Sequence, residues 1–235
     1  LGLNYKISKE LILRSSLGTG FRAPTIAEAF TSTSTGGITV KPNPDIKSEN
    51  NVSFEFGINY TPISLLVFDL AVFQSEYYDF IEPVIDPSDV KVFFTNVIRA
   101  RIQGIESSVN INVIPNQLFL SLNYTYIRAR DLETGKALRY RPRHIFYSGI
   151  NFAKWNFDFG INFRYTSKVE EIDEELIDLG VVVDGDLRVP VYTTDVNLGY
   201  SFISMNLPLN LYLNIKNIFN YNYVELIGNI RNLRN

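Results

Sequence analysis

Apolar and polar residues alternate one by one along almost the whole of this chain, in runs separated by turn-forming residues, and no run carries a helical period. Successive side chains of a strand project to opposite faces. In Leu118 to Tyr126, therefore, Leu118, Leu120, Leu122, Tyr124 and Tyr126 share one face while Ser121, Asn123 and Thr125 share the other. The same division separates Phe54, Phe56, Ile58 and Tyr60 from Ser53, Glu55, Gly57 and Asn59. It returns in Phe157, Phe159, Ile161, Phe163 and Tyr165 against Asp158, Gly160, Asn162, Arg164 and Thr166, and in Val196, Leu198, Tyr200 and Phe202 against Asn197, Gly199 and Ser201. A soluble sandwich alternates too. Here the polar face is mostly Asn, Ser, Gly and Thr with few Lys or Glu, which suits a crowded aqueous lumen better than an open surface. The fold expected is all-β, a transmembrane antiparallel β-barrel with lipid outside and water inside.

Composition agrees with this reading. The 235 residues are 46% hydrophobic and 14% aromatic with net charge -3, yet they contain no apolar run of about 18 residues that would cross a bilayer as a helix. Strands are then the only route into a membrane. The absence of Cys removes disulfide scaffolds and thiolate metal sites. No secretory signal opens the chain, since Leu1 to Lys6 already reads as strand, and the expectation is a segment from the middle of a longer protein.

Connections supply the topology. Short turns fall at Ser8 to Glu10, Thr61 to Ser64, Ile114 to Gln117, Ala153 to Asn156 and Ser204 to Pro208. Longer polar connections fall between them, at Gly18 to Ser48, Ile81 to Lys91, Arg130 to Arg139, Glu170 to Arg188 and Phe219 onward. This strict alternation matches the tight periplasmic turns and long extracellular loops of outer-membrane barrels. It defines about ten strands: Leu3 to Ile7, Leu11 to Leu17, Asn51 to Tyr60, Leu65 to Tyr78, Val92 to Val113, Leu118 to Ile127, Tyr140 to Phe152, Asn156 to Thr166, Val191 to Phe202 and Leu209 to Ile218. A first strand that ends in a short turn descends, so the tenth ascends and another must follow. The parity places this chain inside a larger barrel.

Four segments then carry a resemblance. Leu17 to Phe30, with Gly20, Phe21, Arg22, Ala23 and Pro24, resembles the "GxGFRAPT" segment of TonB-dependent outer-membrane receptors, and Lys41-Pro42-Asn43-Pro44 follows as in that family. Asn96-Val97 with Gln103-Gly104-Ile105-Glu106 is similar to its "N...GxE" strand, Arg141-Pro142-Arg143-His144 to its "RPxH" strand start, and Asn217, Phe219 and Tyr223 to its "NLFD..Y". Leu233-Arg234-Asn235 resembles its "PGR" lead into the last strand, with Leu where Gly is usual. The resemblance implies a barrel of about 22 strands closed by an N-terminal plug, of which residues 1–235 are a C-terminal portion, roughly strands 12 to 21, lacking the plug, the first barrel strands and the final strand. It also implies import of a scarce ligand, such as a ferric siderophore, haem or cobalamin, energised by the TonB complex through the plug.

Catalytic chemistry is poorly represented. His144 is the only histidine, no nucleophile has a base nearby in the pattern, and Gly18-Thr19-Gly20 lacks the helix and Lys-Ser/Thr of a phosphate loop. No enzyme, cofactor or metal site is expected. Arg99, Arg101, Arg128, Arg130, Arg139, Arg141 and Arg143 gather around one expected extracellular loop. The planar guanidinium suits anionic oxygen ligands, so these residues read as a rim for an anionic siderophore or for lipopolysaccharide phosphates, or else as partners of loop carboxylates. Glu170, Glu171, Asp173, Glu174, Glu175, Asp178, Asp184 and Asp186 form an acidic stretch that reads as a solvated loop or a Ca²⁺ site without regular spacing. Tyr77, Tyr78, Phe80, Phe93, Phe94, Tyr124, Tyr126 and Tyr165 read as an aromatic girdle or as ligand-stacking residues. Three functions stand beside one another: a TonB-dependent importer, a passive porin-like or structural outer-membrane barrel, and a soluble all-β binding domain.

Overall fold

The structure is a computed structural model, and it describes residues 1–35, 38–86, 91–172 and 189–222. Twelve strands form one sheet: β1 (Gly2–Lys6), β2 (Leu11–Arg22), β3 (Thr33–Thr35), β4 (Ile38–Lys41), β5 (Glu49–Ile63), β6 (Leu66–Asp86), β7 (Lys91–Ile114), β8 (Leu118–Asp131), β9 (His144–Lys154), β10 (Phe157–Thr166), β11 (Val191–Ser201) and β12 (Asn210–Ile215). Ten of them make an antiparallel meander, β1-β2-β5-β6-β7-β8-β9-β10-β11-β12, and among the described residues β1 and β12 do not pair with each other. All ten strands expected from the alternation are present in order.

Cross-strand register turns the sequence pattern into two walls. One unbroken apolar row runs Ile63, Leu66, Ile111, Leu120, Ile150, Ile161, Val196 and Ile215 across β5 to β12. A neighbouring row runs Leu118, Phe152, Phe159, Leu198 and Leu213. On the opposite face Phe119, Asn151, Gly160, Asn197 and Asn214 lie in line, as do Ser121, Gly149, Asn162 and Asp195. No second layer covers the apolar wall: among the described residues 11 hydrophobic residues are buried whereas 36 large ones are exposed. A soluble sandwich would hide that wall against another sheet, and an apolar surface of this extent in water would aggregate. Hydrocarbon is the solvent it fits.

Short connections are tight for identifiable reasons. Asn116 adopts φ 60° in the β7–β8 turn, where the Gln117 amide donates to the Ile114 carbonyl at 2.9 Å. Trp155 adopts φ 55° in the two-residue β9–β10 turn. The β11–β12 turn holds a 3₁₀ turn, Ile203–Met205, closed by Asn206 in the left-handed region.

The long connections depart from expectation. β2 continues through Gly18 and Gly20 to Arg22, so the loop opens five residues later than the glycines suggested. It contains a five-residue helix α1 (Ile26–Phe30), too short to carry a helical period, and the β3–β4 hairpin, which places Thr33–Thr35 of the Thr/Ser/Gly run in a strand. β4 pairs in parallel with Lys91, Val92 and Phe93 of β7. Its position follows from strand length, because β8 reaches only to Ala100 on that edge and leaves the top of β7 uncovered. β6 and β7 run on to Asp86 and from Lys91, so most of the expected connection at 81–91 is strand. Much of the acidic stretch, from Asp173 on, and Leu233 to Asn235 lie outside the described residues.

The buried core is small and sits at the loop end. Phe80, Ala100, Ala129 and Leu138 pack together with Tyr77, Val97, Ile102 and Ile127 around them; Ala29, Ile46 and Ile81 pack against Phe94. Leu138, 2% exposed, is held there because its amide donates to the Ala129 carbonyl at 3.1 Å, folding the β8–β9 connection back over the strands.

Candidate functional site

On the lumen wall, Arg14 of β2 reaches across β5 to β6. Its Nη1 and Nη2 donate to Asp69 Oδ2 and Oδ1 at 2.5 and 2.7 Å, and its Nε donates to Glu55 Oε1 at 3.1 Å. Asn59 also donates to Asp69, at 3.2 Å. The guanidinium lies over Gly57, where a Cβ would fall 2.6 Å from Arg14 Cζ. Glycine is what lets a long cation cross a neighbouring strand. One position along β7, Gly104 of the "GxE" segment has the same logic: a Cβ there would meet the Tyr126 carbonyl at 2.1 Å and the Phe73 ring at 2.7 Å. Nearer the short turns the lumen wall encloses a hollow of about 320 Å³, with Asn151, Asp158, Asn197, Tyr212 and Asn214 in its lining.

At the loop end the "GxGFRAPT" segment is a clasp. Arg22, the last residue of β2, donates from Nε and Nη2 to Glu49 at 3.0 and 3.2 Å and from Nη1 to Glu28 at 2.9 and 3.0 Å. Glu49 also accepts from the Ile81 amide at 3.1 Å, so one arginine joins β2, β5, β6 and α1. Pro24 precedes Thr25, whose hydroxyl accepts from the Glu28 amide at 3.2 Å while the Glu28 carboxylate accepts from the Thr25 amide at 2.7 Å. This reciprocal capping box explains how so short a helix persists. Burial works against the Glu28 carboxylate, but the Thr25 amide, Arg22 and the Thr25 hydroxyl together hold its pKa below the ordinary carboxylate value. Gly20 and Ala23 belong to the same segment, and Phe21 stands 78% exposed on the opposite, apolar side.

Two asparagines act as stand-ins for a strand. Asn96 accepts from the Lys47 amide at 2.8 Å and donates to the Lys47 carbonyl at 3.0 Å and the Asp79 carbonyl at 2.7 Å. Asn217 accepts from the Tyr221 amide at 3.0 Å and donates to its carbonyl at 2.9 Å. Each side-chain amide offers one donor and one acceptor in a plane, as a peptide does, and pins an irregular segment to the sheet. Asn217 also takes φ 48°, and its amide donates to Asp195 at 2.7 Å; Phe219, beside it, is exposed. In the "RPxH" segment the Ser167 hydroxyl accepts from the Arg143 and His144 amides, both at 3.0 Å, and Pro142 bridges Val169. His144 Nδ1 lies 2.8 Å from the Tyr124 hydroxyl and its ring packs on Tyr126. These motif residues are builders of the loop end rather than groups with open coordination.

The seven arginines divide. Arg101 lies opposite Arg130, and Gln103 opposite Arg128, in a register continuous with Ile105–Tyr126 and Val109–Leu122. Arg101, Arg128 and Arg130, with Arg99 two residues beyond Arg101, therefore stand on the apolar wall's side of the sheet. Glu76 pairs with Arg101 and, at 3.5 Å, with Arg99, whose guanidinium also lies 5.5 Å from the centre of the Tyr78 ring. Arg139, Arg141 and Arg143 lie in the β8–β9 connection. Arg143 pairs with Glu170 at 2.5 Å, Arg130 approaches the same carboxylate at 3.9 Å, and Arg141 donates to the Arg139 carbonyl at 3.3 Å.

The aromatic residues divide too. Tyr124 and Tyr165 occupy one outer row with Phe146 and Tyr192, and Tyr126 lies one row higher. Tyr77 and Phe80 do not join them: they meet edge to face at 5.1 Å in the buried cluster with Leu138, and Phe94 packs under the loop after β2. The girdle reading is corrected for these three. Tyr77 has lumen parity, and Asp79 at φ 54° interrupts the alternation before Phe80.

Sequence reasoning did not anticipate the Arg14–Glu55–Asp69 network, the capping box or the asparagine brackets. The first had a signal, since Arg14, Glu55 and Asp69 are charges of mixed sign at lumen parity on adjacent strands, in a wall made mostly of Asn, Ser, Gly and Thr.

With this geometry in hand, the likeness to known proteins is informative. Residues 1–218 match the family described as TonB dependent receptor-like, beta-barrel. The iron-regulated outer membrane virulence protein of Vibrio cholerae is 25% identical over 235 residues, and the vitamin B12 transporter of Photobacterium profundum 28% identical over 232 residues. These alignments take in 91% and 95% of this chain but 35% and 34% of the relatives, so the chain spans about a third of their length. A ferric enterobactin receptor from Pseudomonas aeruginosa, solved with enterobactin, superposes with TM-score 0.68 at 20% identity over 94% of this chain and 35% of that one. A copper transporter gives TM-score 0.70 at 16% identity over 95% and 33%. At those identities the structural likeness concerns the fold. The chain belongs to the TonB-dependent receptor β-barrel family, and its strands form part of an integral bacterial outer-membrane barrel.

Proposed function

We propose that this chain is one flank of a barrel of about 22 strands, plugged by a separate domain, that imports a scarce ligand of the ferric siderophore, haem or cobalamin class with energy delivered by the TonB complex. The observation that carries the reading is the pairing of a hydrocarbon-facing wall with a hydrogen-bonded polar wall beneath loops that fold back over the sheet. A polar lumen under a structured mouth is what a large hydrophilic ligand requires. Relatives bearing the names of an iron-regulated outer-membrane protein and a vitamin B12 transporter support the ligand class. Arg139 and Arg141 lie in the connection that folds back over the strands, which supports a role for them in meeting an incoming anionic ligand.

The test uses the full-length receptor in cells. Uptake of the limiting nutrient should disappear when TonB is deleted, while surface binding of the ligand persists. Removing Thr31 to Gly37 should weaken capture or uptake and leave a heat-modifiability gel unchanged, because the flanking strands β2 and β5 pair without the tip. Uptake that is independent of TonB and proportional to concentration would instead favour the passive porin-like barrel.

A further inference from the structure

Four of the seven arginines have no place in a lumen site, and their position suggests another role. On β8 the residues Leu120, Leu122, Tyr124, Tyr126, Arg128 and Arg130 follow one another on a single face with no break in register against β7, the one irregularity lying below them between Asn112 and Ile114. Arg101 stands ten residues above Ile111 of the apolar row on the same strand. At about 3.3 Å per residue that is about 33 Å along the strand, or about 25 Å along the membrane normal at the usual tilt. An outer-membrane barrel's apolar band is about 25 Å tall. With the Ile111–Leu120 row near the midplane, hydrocarbon ends about 12 Å above it, at the aromatic row, and the arginines stand beyond that edge on the headgroup side.

What lies beneath them fits. Tyr124, Phe146, Tyr165 and Tyr192 form a transverse aromatic row, and Tyr126 with His144 stands above it. Next come Gln103 and Arg128, then Arg101 and Arg130. Apolar, then aromatic, then cationic is the order of hydrocarbon, interface and phosphate in a leaflet. The local carboxylates do not neutralise the patch. Glu76 serves both Arg99 and Arg101, Glu170 is held by Arg143 before it reaches Arg130, and Arg128 has no ion-pair partner among the described residues.

We propose that Arg99, Arg101, Arg128 and Arg130 form a docking surface on the outer wall of β7 and β8 for the phosphorylated headgroup of lipopolysaccharide. The long connections lie at this end of the strands, so the adjoining leaflet is the outer one, and a diphosphorylated saccharide headgroup offers the paired anionic oxygens that guanidinium forks bind two at a time. The inference rests on the orientation of the barrel and not on which ligand is imported.

The experiment compares full-length receptor with the variants R128Q, R99Q/R101Q/R128Q/R130Q and, as a control that removes two positive charges from the loop, R139Q/R141Q. Each is purified in uncharged detergent, checked for folding by heat modifiability, and titrated with diphosphorylated lipid A, monophosphorylated lipid A, phosphatidylglycerol or phosphatidylcholine, with occupancy read by native mass spectrometry. At about fivefold per arginine at an anionic surface, R128Q should weaken diphosphorylated lipid A about fivefold and the quadruple variant at least about a hundredfold. The control should stay within about twofold of the parent, and monophosphorylated lipid A should bind more weakly than the diphosphorylated form. Undiminished binding by the quadruple variant would overturn the proposal, as would an equal loss in R139Q/R141Q or equal affinity for phosphatidylglycerol or phosphatidylcholine. Loss of an anionic imported ligand from the quadruple variant with lipid A binding intact would assign the patch to ligand capture instead. Should the quadruple variant fail to fold, R128Q decides, since it breaks no ion pair among the described residues.

Discussion

The outer and lumen walls share the same strands and the same backbone ladder, yet different forces hold them. Outside, the row from Ile63 to Ile215 has no polar atom to satisfy and gains its stability from meeting hydrocarbon. Inside, Arg14, Glu55, Asp69 and Asn59 are held by direct hydrogen bonds, and Tyr147 donates to Asn162 at 2.5 Å. The outer wall tolerates exchange of one apolar residue for another but not a charge. The lumen wall tolerates charge but depends on particular partners, down to the glycine that makes room for Arg14.

The sharpest way to break the comparison is to place the same charge on both walls. Leu120→Arg or Phe159→Arg should cost about 2–4 kcal/mol near the bilayer midplane, whereas Asn123→Arg should cost well under half of that. Folding titrations of the full-length receptor into lipid vesicles measure both. Equal losses would mean that the walls are not in different solvents.

Next in size is the lumen network. Arg14→Met strands two carboxylates, but the pair is about one-third exposed (32% and 28% for Arg14 and Asp69), so the expected cost is about 1–2 kcal/mol rather than that of a fully buried pair. Gly57→Ala should destabilise the parent by about 1 kcal/mol and the Arg14→Met background by less, because the crowding is with the guanidinium. Strict additivity in that cycle would show that Gly57 is not there for Arg14.

Smaller effects belong to the clasp. Thr25→Ala should cost about 1 kcal/mol locally, seen as faster proteolysis of the segment 23–48 with the barrel unchanged. Acid should loosen the same place. Glu28 has a folded pKa below its unfolded value of about 4.3, so its contribution is complete above that pH and is lost as pH falls through the lower folded value. Hydrogen exchange at 26–30 should quicken below about pH 4 and stay constant between pH 5 and 7, and Glu28→Gln should abolish the dependence.

The same contrast explains what was legible in the sequence. All ten strands of the meander could be read because a wall between two solvents writes period-two alternation into every strand, Leu118 to Tyr126 most plainly. Strand ends were less legible. β2 runs on through Gly18 and Gly20 because β5 pairs with them up to Arg22, and β6 continues to Asp86 because β7 does. Above the membrane band the solvent no longer differs between faces, so the pattern that located Leu120 says nothing about Tyr77 or Phe80. There a single residue, Asp79, redirects the chain. The motif residues were visible as a group, but the roles of Asn96 and Asn217 depend on backbone groups, and that of Arg22 on carboxylates, 4 to 49 positions away, which no local pattern records. The sequence lists the seven arginines together, and only register separates those of β7 and β8 from those of the β8–β9 connection.

Orientation of the two walls is tested most directly by spin labels placed one at a time at positions 118 to 130 of β8 in the full-length receptor in lipid vesicles, with collision rates measured against oxygen and a water-soluble nickel complex. This chain contributes no cysteine of its own to the background. Expected is a period of two from Leu118 to Tyr126, with oxygen collisions high at even positions, nickel collisions high at odd positions, and the even series turning toward nickel at Arg128 and Arg130. Oxygen and nickel profiles that rise and fall together along β8, or an even series that stays oxygen-rich through Arg130, would contradict the assignment of the Leu120 face to lipid and of the arginines to its edge.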